Sequence, residues 1–416
     1  MDVTQGLQSL LAVFLVAALT PLLAAALPGP KIPQVVFFLV GGVIIGPHAL
    51  GVADTGSVQL VADGGLGFLF LLAGYELDPA LFRQRPGRLA MTGWAVSVAL
   101  SLGAVAGLAA TGFVRDYVPI ALALTTTALG TLLPILRDNG MLEGDFGRYV
   151  FAAGAVGELF PIVAIALFLS RGSHFAALLS VAAVGVLAIA LSAVPFIARS
   201  ERLRTILREG QNATGQVMLR WSVVLLFLLL VIAAKFGQDV VLGAMLAGIV
   251  LRGWTRRMGI DVAGLEEKFD AVGYGIFIPV FFVASGMTLD IAGIAANPLR
   301  VVVFFLLLLI IRGLPSLVIY RRALPLRKRI EMTFITATAL PLLVALAEIG
   351  LQDGKMLPSN AAALVGAGAL SVLVYPAIAA ALARKAPAPD AAEAGDAAGL
   401  TPQARHPLDN LLPWHR

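Results

Sequence analysis

Long apolar runs dominate this chain and leave it little polar surface. Of its 416 residues, 59% are hydrophobic and only 13% are charged, whereas a soluble domain carries about 25% charged residues. There are therefore too few polar side chains to cover the surface of a water-soluble globule. Because a membrane-spanning helix needs about 20 apolar residues, the runs suffice for about a dozen crossings. The sequence predicts an all-α polytopic membrane protein.

Charged residues and clusters of Gly, Pro and Asp divide the apolar sequence into about 13 segments, which we interpret as transmembrane helices. The second and ninth are short, which is typical of helices packed within protein. No basic residue precedes the first segment, so we interpret it as a span rather than as a cleaved signal peptide. The predicted segments are 7–27, 33–46, 57–75, 88–112, 117–136, 146–170, 174–196, 215–235, 239–252, 268–286, 299–320, 328–349 and 357–382.

The basic residues are distributed unequally between the two sides of these segments. With 13 crossings, 24 of the 30 Lys and Arg residues fall on one side, five fall on the other, and Arg312 lies inside a span. Positive residues concentrate on the cytoplasmic side of membrane proteins. We therefore expect a multi-pass protein of the cytoplasmic membrane, with its N-terminus outside and its C-terminus in the cytoplasm. The basic residues behind the net charge of +5 therefore set the orientation in the lipid bilayer, and we do not expect them to bind nucleic acid.

Two parts of the chain repeat each other. The motif at 70–78 recurs at 282–290, and the motif at 125–129 recurs at 336–340. Each pair lies seven segments apart, and because seven is odd the two copies have opposite orientations across the membrane. Inverted repeats of this kind are typical of secondary transporters with a site at the bilayer midplane. The predicted parts are a transmembrane domain at 1–385, with repeat one at about 7–170, a linker helix at about 174–196 and repeat two at about 215–382, followed by a disordered cytoplasmic tail at 386–416 that is rich in Ala, Pro and acidic residues.

Both copies of the shorter motif combine threonine with proline. Thr126 and Thr127 lie upstream of a proline in the fifth segment, and Thr336 and Thr338 lie upstream of Pro341 in the twelfth. Proline removes a backbone donor, and threonine hydroxyls can satisfy the carbonyls that are freed. A simple proline kink, with each hydroxyl bonded to its own helix, is the alternative interpretation. The symmetric placement favours two broken helices that cross at a binding site.

Two ionisable residues, Glu158 and Arg312, lie deep inside their segments. A charge at this depth costs roughly 3 kcal/mol on insertion scales, so each should be paired, hydrated or functional. A carboxylate can gain or lose a proton, whereas a guanidinium keeps its charge. We therefore expect the two to pair and Glu158 to hold either a proton or a monovalent metal cation. The alternative is a permanent salt bridge that fixes helix packing.

Six motifs, taken in order, resemble the membrane domain of the monovalent cation:proton antiporters, Kef-type (CPA2-like) branch of the sodium/hydrogen exchangers. They are GGVIIGPHALG at 41–51, FLLAGYELDP at 70–79, TTAL at 126–129, GAMLAG at 243–248, FFVASGMTLD at 281–290 and TATALP at 336–341. The resemblance runs from about Leu7 to Leu382, which is nearly the whole chain. It implies the sodium/proton antiporter fold with two crossed broken helices, and a homodimer in which a core domain moves against a dimerisation domain.

The resemblance also implies roles for individual residues. In that family the sixth segment carries an Asp-Asp or Asn-Asp pair whose second acid binds the ion, and these positions match Gly157 and Glu158. Arg312 matches the family's basic residue opposite the site, and Thr126 and Thr127 match the polar pair of the broken helix. Because only one acid is present, we predict electroneutral exchange of one cation for one proton. The branch often carries a cytosolic nucleotide-binding domain, and regulation of that kind is not expected in cis.

Three classes of function are compatible with these features. Exchange of Na⁺ or K⁺ for protons is favoured, and an ion-coupled organic anion transporter on the same fold or a non-transporting membrane scaffold are the alternatives. The chain contains no Cys and only four scattered His, which excludes thiol nucleophiles and His-rich metal cages. No nucleophile–base pair or phosphate-binding loop stands out, so neither an enzyme activity nor a cofactor is expected.

Overall fold

The computed structural model shows a chain that is helical almost throughout the part it describes. The described residues are 3–26, 33–77, 79–129, 132, 136, 141, 144–168, 174–193, 216–236, 240–258, 262–289 and 291–384. No β-strand occurs within these ranges. The predicted tail at 386–416 lies outside them, as do the final aspartates of the longer repeated motif, Asp78 and Asp290.

Helices occupy all 13 predicted segments, which confirms the all-α membrane fold. The first part contains α1 (Val3–Ala26), α2 (Gln34–Ile45), α3 (Thr55–Glu76), α4 (Arg85–Ala110), α5 (Tyr117–Ala123), α6 (Gly144–Phe168) and α7 (His174–Ser192), with a short 3₁₀ helix at Pro79–Arg83. The second part contains α8 (Val217–Lys235), α9 (Val240–Met258), α10 (Val262–Val272), α11 (Ile278–Met287), α12 (Ile291–Ala296), α13 (Pro298–Leu307), α14 (Pro315–Ile319), α15 (Leu326–Ala337), α16 (Pro341–Gln352) and α17 (Pro358–Arg384).

Helix length and burial separate lipid-facing helices from central ones. Within the described residues nine helical stretches are long and apolar enough to cross a membrane. In the most apolar part of each stretch, 83% of the residues are buried in Leu326–Gln352, which is formed by α15 and α16, and 67% are buried in α6. The corresponding shares are 17% in α1 and 22% in α4. The α15–α16 stretch and α6 therefore form the centre of the bundle, and α1 and α4 lie at its periphery.

The ninth segment differs from its prediction in length. It was expected to end near residue 252, but α9 continues to Met258. The additional turns carry polar groups that bond to neighbouring helices: Arg252 donates to the Tyr75 carbonyl at 2.6 Å, and Trp254 Nε1 donates to the Leu191 carbonyl at 2.8 Å. These hydrogen bonds satisfy the polar groups of Arg252 and Trp254, so the helix continues past the end of the apolar run.

Glycines allow the two repeats to pack closely and reciprocally. A Cβ atom on Gly74 of α3 would lie 2.0 Å from the Met245 carbonyl of α9, and one on Gly286 of α11 would lie 2.2 Å from the Leu39 carbonyl of α2. Gly74 and Gly286 are equivalent positions of the repeated motif. Each repeat thus places the same glycine against a helix of the other repeat, in the small-residue packing typical of membrane helices.

Both predicted breaks are present. The fifth segment leaves its helix after Ala123, and it is helical again at Leu129, Leu132 and Leu136. The twelfth segment is interrupted between α15 and α16, where Thr338 and Leu340 are non-helical. Two π-helical turns also occur, at Gly273–Phe277 between α10 and α11 and at Leu308–Gly313 between α13 and α14. Such turns are frequent at functional sites, and the second one contains Arg312.

Candidate functional site

The two broken helices are joined directly at their breaks. The Ala128 N–H donates to the Thr338 carbonyl at 2.9 Å, and Thr127 Oγ1 donates to the Thr336 carbonyl at 2.8 Å. In a membrane, backbone groups released from a helix must find partners within the protein. Each break therefore supplies hydrogen-bond partners for groups of the other break. The two helices cross where their regular hydrogen bonding stops.

Helix α6 places Glu158 beside the first break. The Thr127 N–H donates to the Gly157 carbonyl at 3.0 Å, and the Leu129 N–H donates to Glu158 Oε1 at 2.9 Å. Glu158 is 9% exposed. The carboxylate therefore accepts a backbone hydrogen bond from Leu129, the first residue that is helical again after the break.

Arg312 binds the same break from the other side. Its Nε donates to Thr127 Oγ1 at 2.8 Å, and a terminal guanidinium nitrogen donates to the Ala153 carbonyl at 2.8 Å. The Arg312 carbonyl in turn accepts from Thr336 Oγ1 at 3.2 Å. Arg312, Thr127 and Thr336 thus form a continuous hydrogen-bonded set that joins three membrane segments, and all three are at most 3% exposed.

The Arg312 guanidinium occupies the space of a side chain at position 157. A Cβ atom on Gly157 would lie 2.7 Å from the Arg312 terminal nitrogen and 2.6 Å from Thr127 Cβ. Both distances are shorter than any normal contact. Glycine at this position therefore leaves room for the arginine. The family that the motifs resemble carries Asp or Asn here.

Gly157→Ala is expected to disturb the site through this overlap. Arg312 is a flexible side chain, but moving it breaks hydrogen bonds to Thr127 and Ala153, so the variant should lose about 1–3 kcal/mol of unfolding free energy. Thermal denaturation of the detergent-solubilised protein measures this loss. Gly103→Ala is the matched control, because a Cβ atom at Gly103 has no neighbour within 4 Å. Equal melting temperatures for the Gly157→Ala variant and wild type would contradict the overlap.

The four predicted threonines differ in where their hydroxyl groups bond. Thr126 Oγ1 donates to the Ala123 carbonyl at 2.8 Å, and Thr338 Oγ1 donates to the Phe334 carbonyl at 3.0 Å. These two hydroxyls bond to their own helices, as the proline-kink interpretation expects. The Thr127 hydroxyl instead contacts another segment. The Thr336 hydroxyl does both, because its Oγ1 lies 2.9 Å from the Met332 carbonyl of its own helix and 3.2 Å from the Arg312 carbonyl. Thr338 contributes to the crossing through its backbone carbonyl.

The predicted pairing of Glu158 with Arg312 stays a prediction. The described bonds of Arg312 go to Thr127 and Ala153, and Glu158 bonds to Leu129, two residues beyond Thr127. The two charged side chains are therefore linked through the first break, with Arg312 beside Gly157 and Glu158 at the next position of α6.

Sequence reasoning missed a serine at the second break. Ser371 Oγ accepts from the Ala339 N–H at 3.0 Å and donates to the Gly368 carbonyl at 2.7 Å. It holds the second break much as Glu158 holds the first. Ser371 follows Glu158 by 213 residues, close to the repeat offsets of 211 and 212, and that spacing is the signal that could have found it. Serine does not ionise at physiological pH, so of these two side chains Glu158 is the one that can titrate.

Two further acids, Glu331 and Glu76, lie outside the predicted site. Glu331 of α15 is fully buried and lies 2.8 Å from Lys328 Nζ, which itself lies 4.7 Å above the Phe146 ring. Its spacing of three from Lys328 on one helix face was the available signal. Glu76 is the last residue of α3 and is close enough to Glu158 for their charges to interact.

Comparison with known proteins identifies the class to which this fold and site belong. Residues 13–385 match the family model described as "Sodium/hydrogen exchanger, transmembrane". The chain therefore belongs to the sodium/hydrogen exchanger family, which confirms the resemblance found in its motifs.

Individual relatives agree with this family. The chain is 25% identical over 390 residues to the putative Na(+)/H(+) antiporter YjbQ of Bacillus subtilis (strain 168), covering 88% of this chain and 62% of that protein. It is 29% identical over 308 residues to the glutathione-regulated potassium-efflux system protein KefC of Klebsiella aerogenes, covering 70% and 47%. The chain thus spans less than two thirds of the length of these curated relatives.

A solved structure supports the fold independently. The sodium proton antiporter MjNhaP1 from Methanocaldococcus jannaschii aligns with 92% of this chain and 99% of its own, with a TM-score of 0.67 and 16% sequence identity. At that identity the likeness shows the shared fold alone. The inverted-repeat antiporter fold with crossed broken helices is thereby confirmed.

Proposed function

We propose that this protein exchanges a monovalent cation, Na⁺ or K⁺, for protons by alternating access, with Glu158 as the site that the two ions share. The observation that carries the proposal is the position of the Glu158 carboxylate. It lies at the crossing of the two breaks, where the Leu129 N–H holds Oε1 at 2.9 Å. A titrating group at a midplane crossing of broken helices is the arrangement that ion-coupled transporters require.

The chemistry of one carboxylate supports one-for-one exchange. A carboxylate offers about four lone-pair positions, of which the bond from Leu129 uses one. A bound proton or a bound cation neutralises the same single charge, so the ions compete. Backbone carbonyls near the breaks are the natural additional ligands, because Na⁺ and K⁺ prefer oxygen donors as other hard cations do.

Arg312 has a positioning role in this proposal. Its guanidinium keeps its charge at any physiological pH, and its bonds to Thr127 and Ala153 anchor the first break against α6. The arginine charge therefore stays constant while Glu158 alternates between proton and cation. The loaded carrier then has the same charge in both halves of the cycle, and exchange is electroneutral.

The wider assignment rests on the relatives and on charge distribution. Names of the relatives describe antiporters and a potassium-efflux system, which supports transport rather than enzymatic catalysis. The placement of 24 of the 30 basic residues on one side supports a cytoplasmic-membrane location with the N-terminus outside. A homodimer, a repeat one at 7–170 and a repeat two at 215–382 belong to the same proposal.

Wild-type protein in proteoliposomes tests the proposal. Adding Na⁺ or K⁺ to one side should dissipate an imposed pH gradient, and the rate should be equal with the membrane potential clamped at zero or at about 100 mV. Each net charge moved would shift the equilibrium by about 2.3 kcal/mol per 100 mV, so an electrogenic cycle would be plainly visible. Dissipation that needs an organic anion, or none with any cation, would contradict the proposal.

A further inference from the structure

A small cavity lies beside the second half of the α15–α16 stretch, between α11, α16 and α17. Its volume is about 30 Å³, which is room for one or two water molecules or for one partly hydrated monovalent cation. The side chains at its wall that offer oxygen atoms are Ser285, Thr288 and Glu348. Its lining includes neither Glu158 nor the Leu129 that holds the Glu158 carboxylate.

The Ser285 hydroxyl indicates that the cavity has an occupant. Ser285 is 7% exposed, and among the residues that the structure describes its Oγ has no hydrogen-bond partner. Buried hydroxyls are nearly always bonded, and those on helices usually donate to a preceding carbonyl. Thr288, one turn further along, does so, because its Oγ1 donates to the Ser285 carbonyl at 2.9 Å. The Ser285 oxygen at the cavity wall therefore needs a water molecule or an ion.

Negative charge is gathered at the same place. Gln59 Nε2 donates to Glu348 Oε1 at 2.9 Å and to Asp63 Oδ1 at 2.9 Å, so one amide of α3 holds two carboxylates together. Gln352 donates to the same Glu348 oxygen at 3.3 Å. Carboxylates at the mouth of a low-dielectric cleft raise the local concentration of cations.

The cavity lies along the helix that starts at the second break. Helix α16 begins at Pro341, immediately after the second break, and Glu348 follows seven residues later. At 1.5 Å per residue the two positions are about 10 Å apart along the helix axis. A cation at Glu348 would therefore be about two helical turns from the second break.

We propose that this cavity is a second and weaker site for the transported monovalent cation. The cation binds there on its way between the water at this end of the bundle and Glu158. The inference rests on the proposed exchange function. Carboxylate and hydroxyl oxygens are the donors of hard cations and not of transition metals. The wall contributes one carboxylate with neutral hydroxyls, which matches a single positive charge better than a divalent ion, whose sites take six or more oxygen ligands.

This second site is tested by comparing how exchange depends on cation concentration from the two sides of the membrane. The initial exchange rate is measured against Na⁺ and K⁺ concentration in everted and in right-side-out membrane vesicles, which present opposite ends of the protein. Glu348→Gln should raise the apparent KM about tenfold in one vesicle type only, and Ser285→Ala should raise it about threefold in that same type. The maximal rate and the KM from the opposite side should stay at wild-type values.

Asp353→Asn is the control for surface charge, because Asp353 lies at the same end but interacts with Lys355 at 3.6 Å and does not line the cavity. Its KM should not change. An unchanged KM for both cavity variants, or an equal rise on both sides, would overturn the second site while leaving wild-type exchange intact. If Glu348→Gln fails to fold, Ser285→Ala carries the same test. Absence of exchange in wild type would instead overturn the proposed function.

Discussion

Glu158→Gln is expected to reduce cation-driven proton movement to the background of protein-free vesicles. The amide keeps the size of the side chain and can still accept a hydrogen bond from Leu129, but it can neither take up a proton nor carry a negative charge. The shared site is thereby removed while its geometry is retained. Dequenching of a pH-sensitive dye after addition of Na⁺ or K⁺ to energised vesicles measures the effect.

The controls for this variant separate chemistry from folding. Glu158→Asp keeps the carboxylate, and it should retain measurable exchange with a changed apparent affinity because its side chain is one methylene shorter. Equal expression and equal melting temperature of the Gln variant and wild type would show that the loss is functional. A Gln variant that exchanges cations as fast as wild type would refute the role of Glu158. A Gln variant that only loses stability, alongside an inactive wild type, would favour the scaffold alternative.

Thr127→Val is expected to have the second-largest effect. Valine matches threonine in shape, but it removes the acceptor for Arg312 Nε and the donor to the Thr336 carbonyl, both at 2.8 Å. Leaving a buried guanidinium nitrogen unsatisfied should lower the unfolding free energy by about 2–3 kcal/mol. Since the same bonds align the two breaks, the exchange rate should fall at least about tenfold, which is about 1.4 kcal/mol of activation free energy.

Thr125→Val is the matched control for that substitution. Thr125 is as deeply buried as Thr127, but its Oγ1 donates to the Leu122 carbonyl of its own helix at 2.7 Å. Its replacement should leave the exchange rate close to that of wild type. If the two valine variants lose transport and stability to the same extent, the hydrogen-bonded set of Arg312, Thr127 and Thr336 has no special role.

Much of the fold could be predicted because membrane helices leave strong patterns. Apolar runs located all 13 segments. The repeated motifs also predicted equivalent positions, and the equivalent glycines Gly74 and Gly286 each pack against a helix from the other half of the chain. The end of α9 was placed too early, because its last turns carry charged residues that look like a loop. Their bonds to Tyr75 and to the α7 helix exist only in the folded bundle.

Less of the site could be predicted, because its contacts depend on backbone positions. The sequence identified Glu158, Arg312 and the threonines as candidates, and the structure brings Arg312, Thr127 and Thr336 into direct contact. Which hydroxyl crosses to another segment is decided by the irregular backbone of the breaks, and no residue pattern encodes it. The space beside Gly157 is likewise filled by the guanidinium of Arg312, which lies on a π-helical turn far away in the sequence, and no residue pattern indicates that contact.

Competition between a proton and a cation at Glu158 is the central claim, and proton release measures it most directly. Purified protein in weakly buffered detergent solution is mixed with NaCl or KCl, with choline chloride as the control salt, and released protons are counted with a pH-sensitive dye. Wild type should release protons, up to one per chain, with the transported cation and none with choline, and the Glu158→Gln variant should release none. Release by the Gln variant equal to that of wild type would contradict the account.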